Sequence, residues 1–156
     1  MLTIDVPGRG VLEVCQVACD YNGTIAIDGR LMDGVAERVR RLAEFAQVSV
    51  LTADTFGTVL AQCEGLPVNV RVFDRDDASA CKASIVRELG AAGRVCIGNG
   101  FNDIAMFGEA ALSIAVIGGE GACAKLLTCA DVVVTSPLDA FDLLLNSNRL
   151  RATLRG

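Results

Sequence analysis

Four places in this chain carry side chains suited to handling a phosphoryl group, and each ends a short apolar run or begins a helix. Asp20 ends the run that starts at Val14 and leads into Tyr21-Asn22-Gly23-Thr24. Thr52 ends Val48-Ser49-Val50-Leu51 and is followed by Ala53-Asp54. Lys82 sits in the first half of a helical pattern over residues 78–89. Asn99, Asn102 and Asp103 follow Val95-Cys96-Ile97. Phosphoryl transfer needs parts of these kinds. A carboxylate can attack phosphorus and become an acyl phosphate, while a hydroxyl and an ammonium hold the non-bridging oxygens. A hard divalent cation offsets repulsion between carboxylate and phosphate dianion, and it prefers carboxylate, carbonyl and water oxygens. Gly23 and Gly100 allow close backbone approach to a ligand. Taken singly, each residue has a plainer reading. Asp20 could be a turn residue, Thr52-Ala53-Asp54 a helix N-cap, Lys82 a solvated surface lysine, and Asn99 and Asn102 loop formers; only the set points to a site.

These residues converge only if their strands are neighbours. The chain alternates strand and helix patterns, with strands expected at 14–20, 48–52, 68–73, 95–97, 112–117 and 132–134 and helices between them. That alternation predicts an α/β fold, a doubly wound and mostly parallel three-layer α/β/α sheet in one domain over 1–156. Ligands of such sheets bind beyond the carboxyl ends of the strands. The core is expected over about residues 14–146. Residues 1–13 read as an N-terminal β-hairpin protecting a sheet edge. Asp28-Gly29 between apolar residues predicts a second, flap-like hairpin beside Asp20. Asp33 reads as a helix N-cap, residues 55–63 as a helix, Gly118-Gly119-Glu120-Gly121 as a strand-to-helix turn, and residues 147–156 as a polar, basic tail.

Composition excludes several classes. A net charge of −5 without a basic stripe argues against nucleic acid as a partner. The absence of His removes any Ser-His or Cys-His mechanism. Seven scattered Cys, several inside apolar runs, suit neither a disulfide framework nor a zinc site. A reducing, cytoplasmic setting is therefore expected. No run has the length of a membrane span, and residues 2–7 are too short for a secretory leader.

Asp20-Tyr21-Asn22-Gly23-Thr24 resembles the first motif of the haloacid dehalogenase (HAD)-like hydrolase superfamily, usually Asp-x-Asp-Gly-Thr. Leu51-Thr52-Ala53-Asp54 resembles the second motif, Lys82 fits the third, and Gly98-Asn99-Gly100-Phe101-Asn102-Asp103 is similar to the fourth, usually Gly-Asp-Gly-x-Asn-Asp. The wording of the second and fourth motifs is closest to the phosphorylation domain of P-type ATPases and their small soluble relatives. The resemblance covers roughly residues 14–140. It implies a phosphatase acting on a small phosphorylated substrate with Mg²⁺ as cofactor. It further implies that Asp20 is the nucleophile and a metal ligand, with Asn22 (through its backbone carbonyl), Asn99 and Asp103 completing the metal site. Thr52 and Lys82 then bind the phosphoryl group, with Gly23, Thr24, Ala53 and Asn102 shaping its cradle. No cap domain is inserted, and capless members of the superfamily often cover the site with a neighbouring subunit or act on macromolecules, so a homo-oligomer is one expectation.

Two positions depart from the pattern. Asn22 stands where phosphatases of the superfamily carry the Asp that protonates the leaving group, and an amide cannot shuttle that proton. Asn99 replaces a directly metal-ligating Asp. Together they predict slow turnover or a preference for good leaving groups such as acyl phosphates or nucleotides. They also favour an alternative, a non-catalytic, regulatory module that keeps the phosphate pocket. A signalling receiver domain uses a similar set of residues, but the Gly23-Thr24 step and the Gly98–Asp103 loop argue against it.

Overall fold

The computed structural model describes residues 1–90 and 92–156. It opens with an antiparallel hairpin, β1 (Leu2–Val6) and β2 (Gly10–Val14). Then come β3 (Gln16–Asp20), the short pair β4 (Ala26–Ile27) and β5 (Arg30–Leu31), and α1 (Val35–Leu42). They are followed by β6 (Gln47–Thr52), α2 (Val59–Gln62), β7 (Val68–Val72), α3 (Ala78–Glu88) and β8 (Arg94–Gly98). A 3₁₀ turn at Phe101–Asp103 leads into α4 (Ile104–Phe107), β9 (Leu112–Val116), α5 (Ala124–Leu127), β10 (Val132–Val134), α6 (Pro137–Leu145) and α7 (Ser147–Leu154).

Six of the strands form one parallel sheet in the order β10-β9-β8-β3-β6-β7. The chain builds outward from β3 to one side with β6 and β7, then returns to the other side of β3 with β8, β9 and β10. The reversal falls between β3 and β8, where a doubly wound sheet opens its ligand crevice. The expected α/β architecture is therefore what the chain adopts, and the register sets Asp20 opposite Leu51, one residue short of Thr52.

The two faces of the sheet differ in bulk. On one, Val17, Cys19, Val48, Val50, Val95, Ile97, Ile114 and Val116 meet Val35, Val39 and Leu42 of α1 and Ala140, Phe141 and Leu144 of α6. On the other, the smaller Ala18, Cys96 and Ala115 meet Ile85 and Val86 of α3 and Met106 and Phe107 of α4. Side chains alternate along a strand, so Asp20 shares the face of Ala18 and points to the side from which α3 brings Lys82.

Several local expectations change. The N-terminal hairpin protects neither edge of the sheet: the edge strands are β7 and β10, and among the described residues it pairs with neither. Instead it buries Ile4, Val6 and Val14 in the core, while the Cys15 and Gln16 N–H groups donate to the Gly93 carbonyl just before β8. Asp33 does not cap α1; Gly34 does, at φ 85°, a left-handed conformation that strongly favours glycine. The helix expected over 55–63 shrinks to α2, because Asp54 and Gly57 take positive φ and the Asp54 carboxylate binds the Thr58 and Val59 N–H groups at its start. The C-terminal stretch is no tail: α7 buries Leu150 completely, and the Gly156 N–H donates to the Pro7 carbonyl. The Asp28-Gly29 flap forms as expected, with both residues at positive φ as a tight two-residue hairpin turn requires. All seven cysteines are free thiols, Cys19, Cys63 and Cys96 being buried. No helix among the described residues is long and apolar enough to cross a membrane.

Candidate active site

β3 delivers Asp20 to the carboxyl edge of the sheet with 7% of its surface exposed, and α3 delivers Lys82 with 2%. The Lys82 ammonium donates its three N–H groups to Asp20 Oδ1 at 2.6 Å, Asp103 Oδ1 at 2.7 Å and Asn102 Oδ1 at 2.9 Å. Burial by itself lowers the Lys82 pKa, but the charges of Asp20 and Asp103 outweigh it and hold the ammonium above its usual range. A buried ammonium without such partners would carry a penalty of several kcal/mol, on the order quoted for buried ions.

Asp103 is fully buried, and both its oxygens are engaged. Oδ1 faces Lys82, and Oδ2 accepts the Asn99 and Gly100 N–H groups at 3.0 and 2.9 Å. Burial, reinforced by the Asp20 charge, pushes its carboxyl up to about 6 against the pull of Lys82 and the Gly100 N–H. Gly98 makes this packing possible, since a Cβ there would collide with the Asp103 carboxylate.

The other oxygen of Asp20, Oδ2, accepts the Thr24 hydroxyl at 2.8 Å. Thr24 Oγ1 also lies 3.1 Å from Asn99 Oδ1, and the Asn99 amide nitrogen donates to the Gly121 carbonyl at 3.2 Å. Thr52 Oγ1 accepts the Asp54 N–H at 2.8 Å, so its own proton is available to a ligand.

A cavity of about 250 Å³ opens between these groups. Asp20, Asn22, Thr52, Ala53, Lys82, Asn99 and Asn102, all singled out from the sequence, line it together with Gly100. Gly23, Thr24 and Asp103 stand outside that lining: Thr24 and Asp103 are buried behind it, and Gly23 turns the loop at φ 82°. Thr55 and Phe73 also line the cavity and were missed. Thr55 lies just past the Thr52-Ala53 step, and Phe73 directly follows β7, the neighbour of β6; both positions could have been found by extending the strand-end rule. A larger cavity of about 530 Å³ lies elsewhere, around Gln16, Gln47 and Pro67, and none of the candidate site residues lines it. Tyr21 does not reach the site; it is fully buried and donates to the Gly29 carbonyl in the flap at 3.0 Å.

Among the described residues, one buried polar side-chain atom in the cavity wall has no hydrogen-bond partner: Asn22 Oδ1. Asp20, Asp103 and Lys82 together carry one net negative charge. An orphaned oxygen, further amide oxygens and a surplus carboxylate form an oxygen-donor set compatible with a hard cation that completes its shell with phosphate and water. Among the described residues no three His, Cys, Asp or Glu cluster as an all-protein metal cage. Chemically, the arrangement presents a desolvated carboxylate, an ammonium and a hydroxyl to whatever enters the cavity.

No family model matches the chain. Two proteins of Methanocaldococcus jannaschii do. The uncharacterized protein MJ0073 is 52% identical over 61 residues, which is 39% of this chain and 66% of that protein, so the chain spans slightly less than two thirds of it. The uncharacterized protein MJ0072 is 49% identical over 39 residues, 25% of this chain and 89% of that protein. The chain belongs to one family with MJ0072. Among solved structures, the cobalt-bound deoxy-D-mannose-octulosonate 8-phosphate phosphatase YrbI of Haemophilus influenzae superposes with a TM-score of 0.71 at 14% identity, covering 92% of this chain and 94% of that one. The Moraxella catarrhalis 3-deoxy-D-manno-octulosonate 8-phosphate phosphatase, in complex with magnesium ion, phosphate ion and KDO, gives 0.65 at 15% identity over 91% and 94%. A phosphoserine phosphatase in apo form gives 0.68 at 15% over 85% and 98%. The fold is that of the HAD-like hydrolases.

Proposed function

We propose that the protein is a Mg²⁺-dependent phosphohydrolase that works through an aspartyl phosphate on Asp20. The observation that carries this reading is the sealed Asp20–Lys82 pair at 2.6 Å, placed at the reversal of strand order and opening onto a cavity that Thr52 shares. The solved structures of similar fold include phosphatases of small phosphorylated metabolites, which supports a substrate of that class. Asp20, Asn22 and Asn99 offer the oxygens that would hold Mg²⁺, which supplies charge compensation between the Asp20 carboxylate and the phosphate dianion. Asp103, buried behind the cavity rather than lining it, acts by holding Lys82.

In the first step an Asp20 oxygen attacks phosphorus and the bond to the leaving group breaks, the electron pair departing with that group. Lys82 and Thr52 donate to the non-bridging oxygens, Lys82 giving up one of its present contacts to do so. In the second step water attacks phosphorus, Asp20 is released as a carboxylate, and the water proton passes to solvent. Asn22 offers no acid for the first step and no base for the second, so both run without the roughly 10²–10⁴-fold help of proton transfer. Good leaving groups, acyl phosphates above all, are therefore the expected substrates.

A second reading, a phosphate-binding module without turnover, draws on the same Asn22 and on the scarcity of carboxylates facing the cavity. The test is turnover of acetyl phosphate and p-nitrophenyl phosphate with Mg²⁺ in the wild type and in Asp20→Asn. Wild-type turnover abolished in the variant supports the enzyme; undiminished turnover in Asp20→Asn removes Asp20 as nucleophile. Phosphate binding with no wild-type turnover selects the second reading.

A further inference from the structure

Asn99 occupies the place of an expected metal-ligating carboxylate, and its contacts explain why an amide suits this chain. Its Nδ2 donates to the Gly121 carbonyl at 3.2 Å, and its backbone carbonyl accepts the Cys123 N–H at 2.8 Å. Gly121 closes a turn whose N–H binds the Gly118 carbonyl at 3.0 Å. That turn backs onto the flap: a Cβ on Gly119 would sit 2.7 Å from Ile27 Cδ1, and Glu120 faces the Asp28 N–H. On its other side, Asn99 packs on Gly23 so closely that any Cβ there would collide with the amide nitrogen. Gly23 in turn donates its N–H to Ala26, in the first flap strand, at 2.7 Å.

A carboxylate at this position would set an oxygen against the Gly121 carbonyl, acceptor against acceptor, with no proton between them. We propose that Asn99 is a positioning residue whose amide N–H ties the 98–100 loop to the 118–121 turn, and through it to the flap, so that this side of the site is assembled without help from a cation. The proposal goes beyond the phosphohydrolase reading, because the tie exists whether or not the site turns over.

Amide hydrogen exchange in EDTA tests it, comparing wild type, Asn99→Asp and Asn99→Ala. If the amide donor matters, Asn99→Asp, although isosteric, accelerates exchange of the Gly121, Cys123 and Gly23 N–H groups at least as much as Asn99→Ala. The expected acceleration is about tenfold, the consequence of losing one hydrogen bond at a partly buried carbonyl. The Gln47 N–H, which binds the Cys15 carbonyl at 2.9 Å at the opposite end of the sheet, serves as the unchanged reference. Exchange in Asn99→Asp equal to wild type overturns the proposal, as does acceleration in Asn99→Ala alone, which would make the role steric. Because no substrate or metal is present, failure here leaves the Asp20 mechanism to stand or fall by its own assay.

Discussion

The Lys82 ammonium lies 2.6 Å from the Asp20 carboxylate with only 2% of its side chain exposed, and it reaches Asp103 at 2.7 Å in the same step. One cation therefore separates two buried anions that would otherwise repel each other in a medium of low dielectric constant. In the proposed mechanism the same contact readies the nucleophile.

Replacing that cation exposes the cost. Lys82→Met keeps the aliphatic stem but leaves Asp20 and Asp103 facing each other, and breaking a buried pair in this way typically costs about 3–5 kcal/mol. Urea denaturation of the metal-free protein should show a loss of that size, partly recovered in Lys82→Met/Asp103→Asn. A loss below about 1 kcal/mol, as at exposed pairs, would mean that the three side chains do not share a sealed environment.

Asn22→Asp should raise turnover. The change restores a group able to protonate the leaving oxygen, so p-nitrophenyl phosphate hydrolysis should rise by at least about tenfold, within reach of the 10²–10⁴ typical of general acid–base catalysis. Acetyl phosphate, whose leaving group needs no proton, should gain less. Equal gains for the two substrates would place the limitation elsewhere.

The C-terminal helix is part of the core. Leu150→Ala should destabilise the protein by about 2–5 kcal/mol, as large-to-small changes at sealed positions do, whereas Arg149→Ala on the same helix should be close to neutral. Thermal denaturation of both variants decides it; equal, small effects would mean that α7 does not hold the fold together.

Much of this site was legible because its parts recur at strand ends in a fixed order. Asp20, Thr52, Lys82, Asn99 and Asn102 all reach one cavity, and the Asp28-Gly29 turn announces the flap. What stayed hidden depends on three-dimensional contacts. Nothing in Asp33-Gly34 says that the glycine rather than the aspartate starts α1, since the choice turns on a backbone angle of 85°. Thr52-Ala53-Asp54 does not say that Asp54 takes positive φ and turns its carboxylate to the Thr58 and Val59 N–H groups at the start of α2. Residues 147–156 looked like a basic tail because arginines dominate them; a single fully buried Leu150 makes them structural. The contacts of Asp103 with Lys82 and with the Asn99 and Gly100 N–H groups were equally hidden, since they exist only once the loop is folded.

The most direct test of the central claim is to trap the covalent species. Protein incubated with Mg²⁺ and acetyl [³²P]phosphate, quenched in acid and digested, should yield label on the peptide that contains Asp20, and none in Asp20→Asn. Slow release without a base at Asn22 to activate water should let the labelled species accumulate, and Asn22→Asp should deplete it. Label on any other residue, or undiminished hydrolysis in Asp20→Asn, would contradict the account.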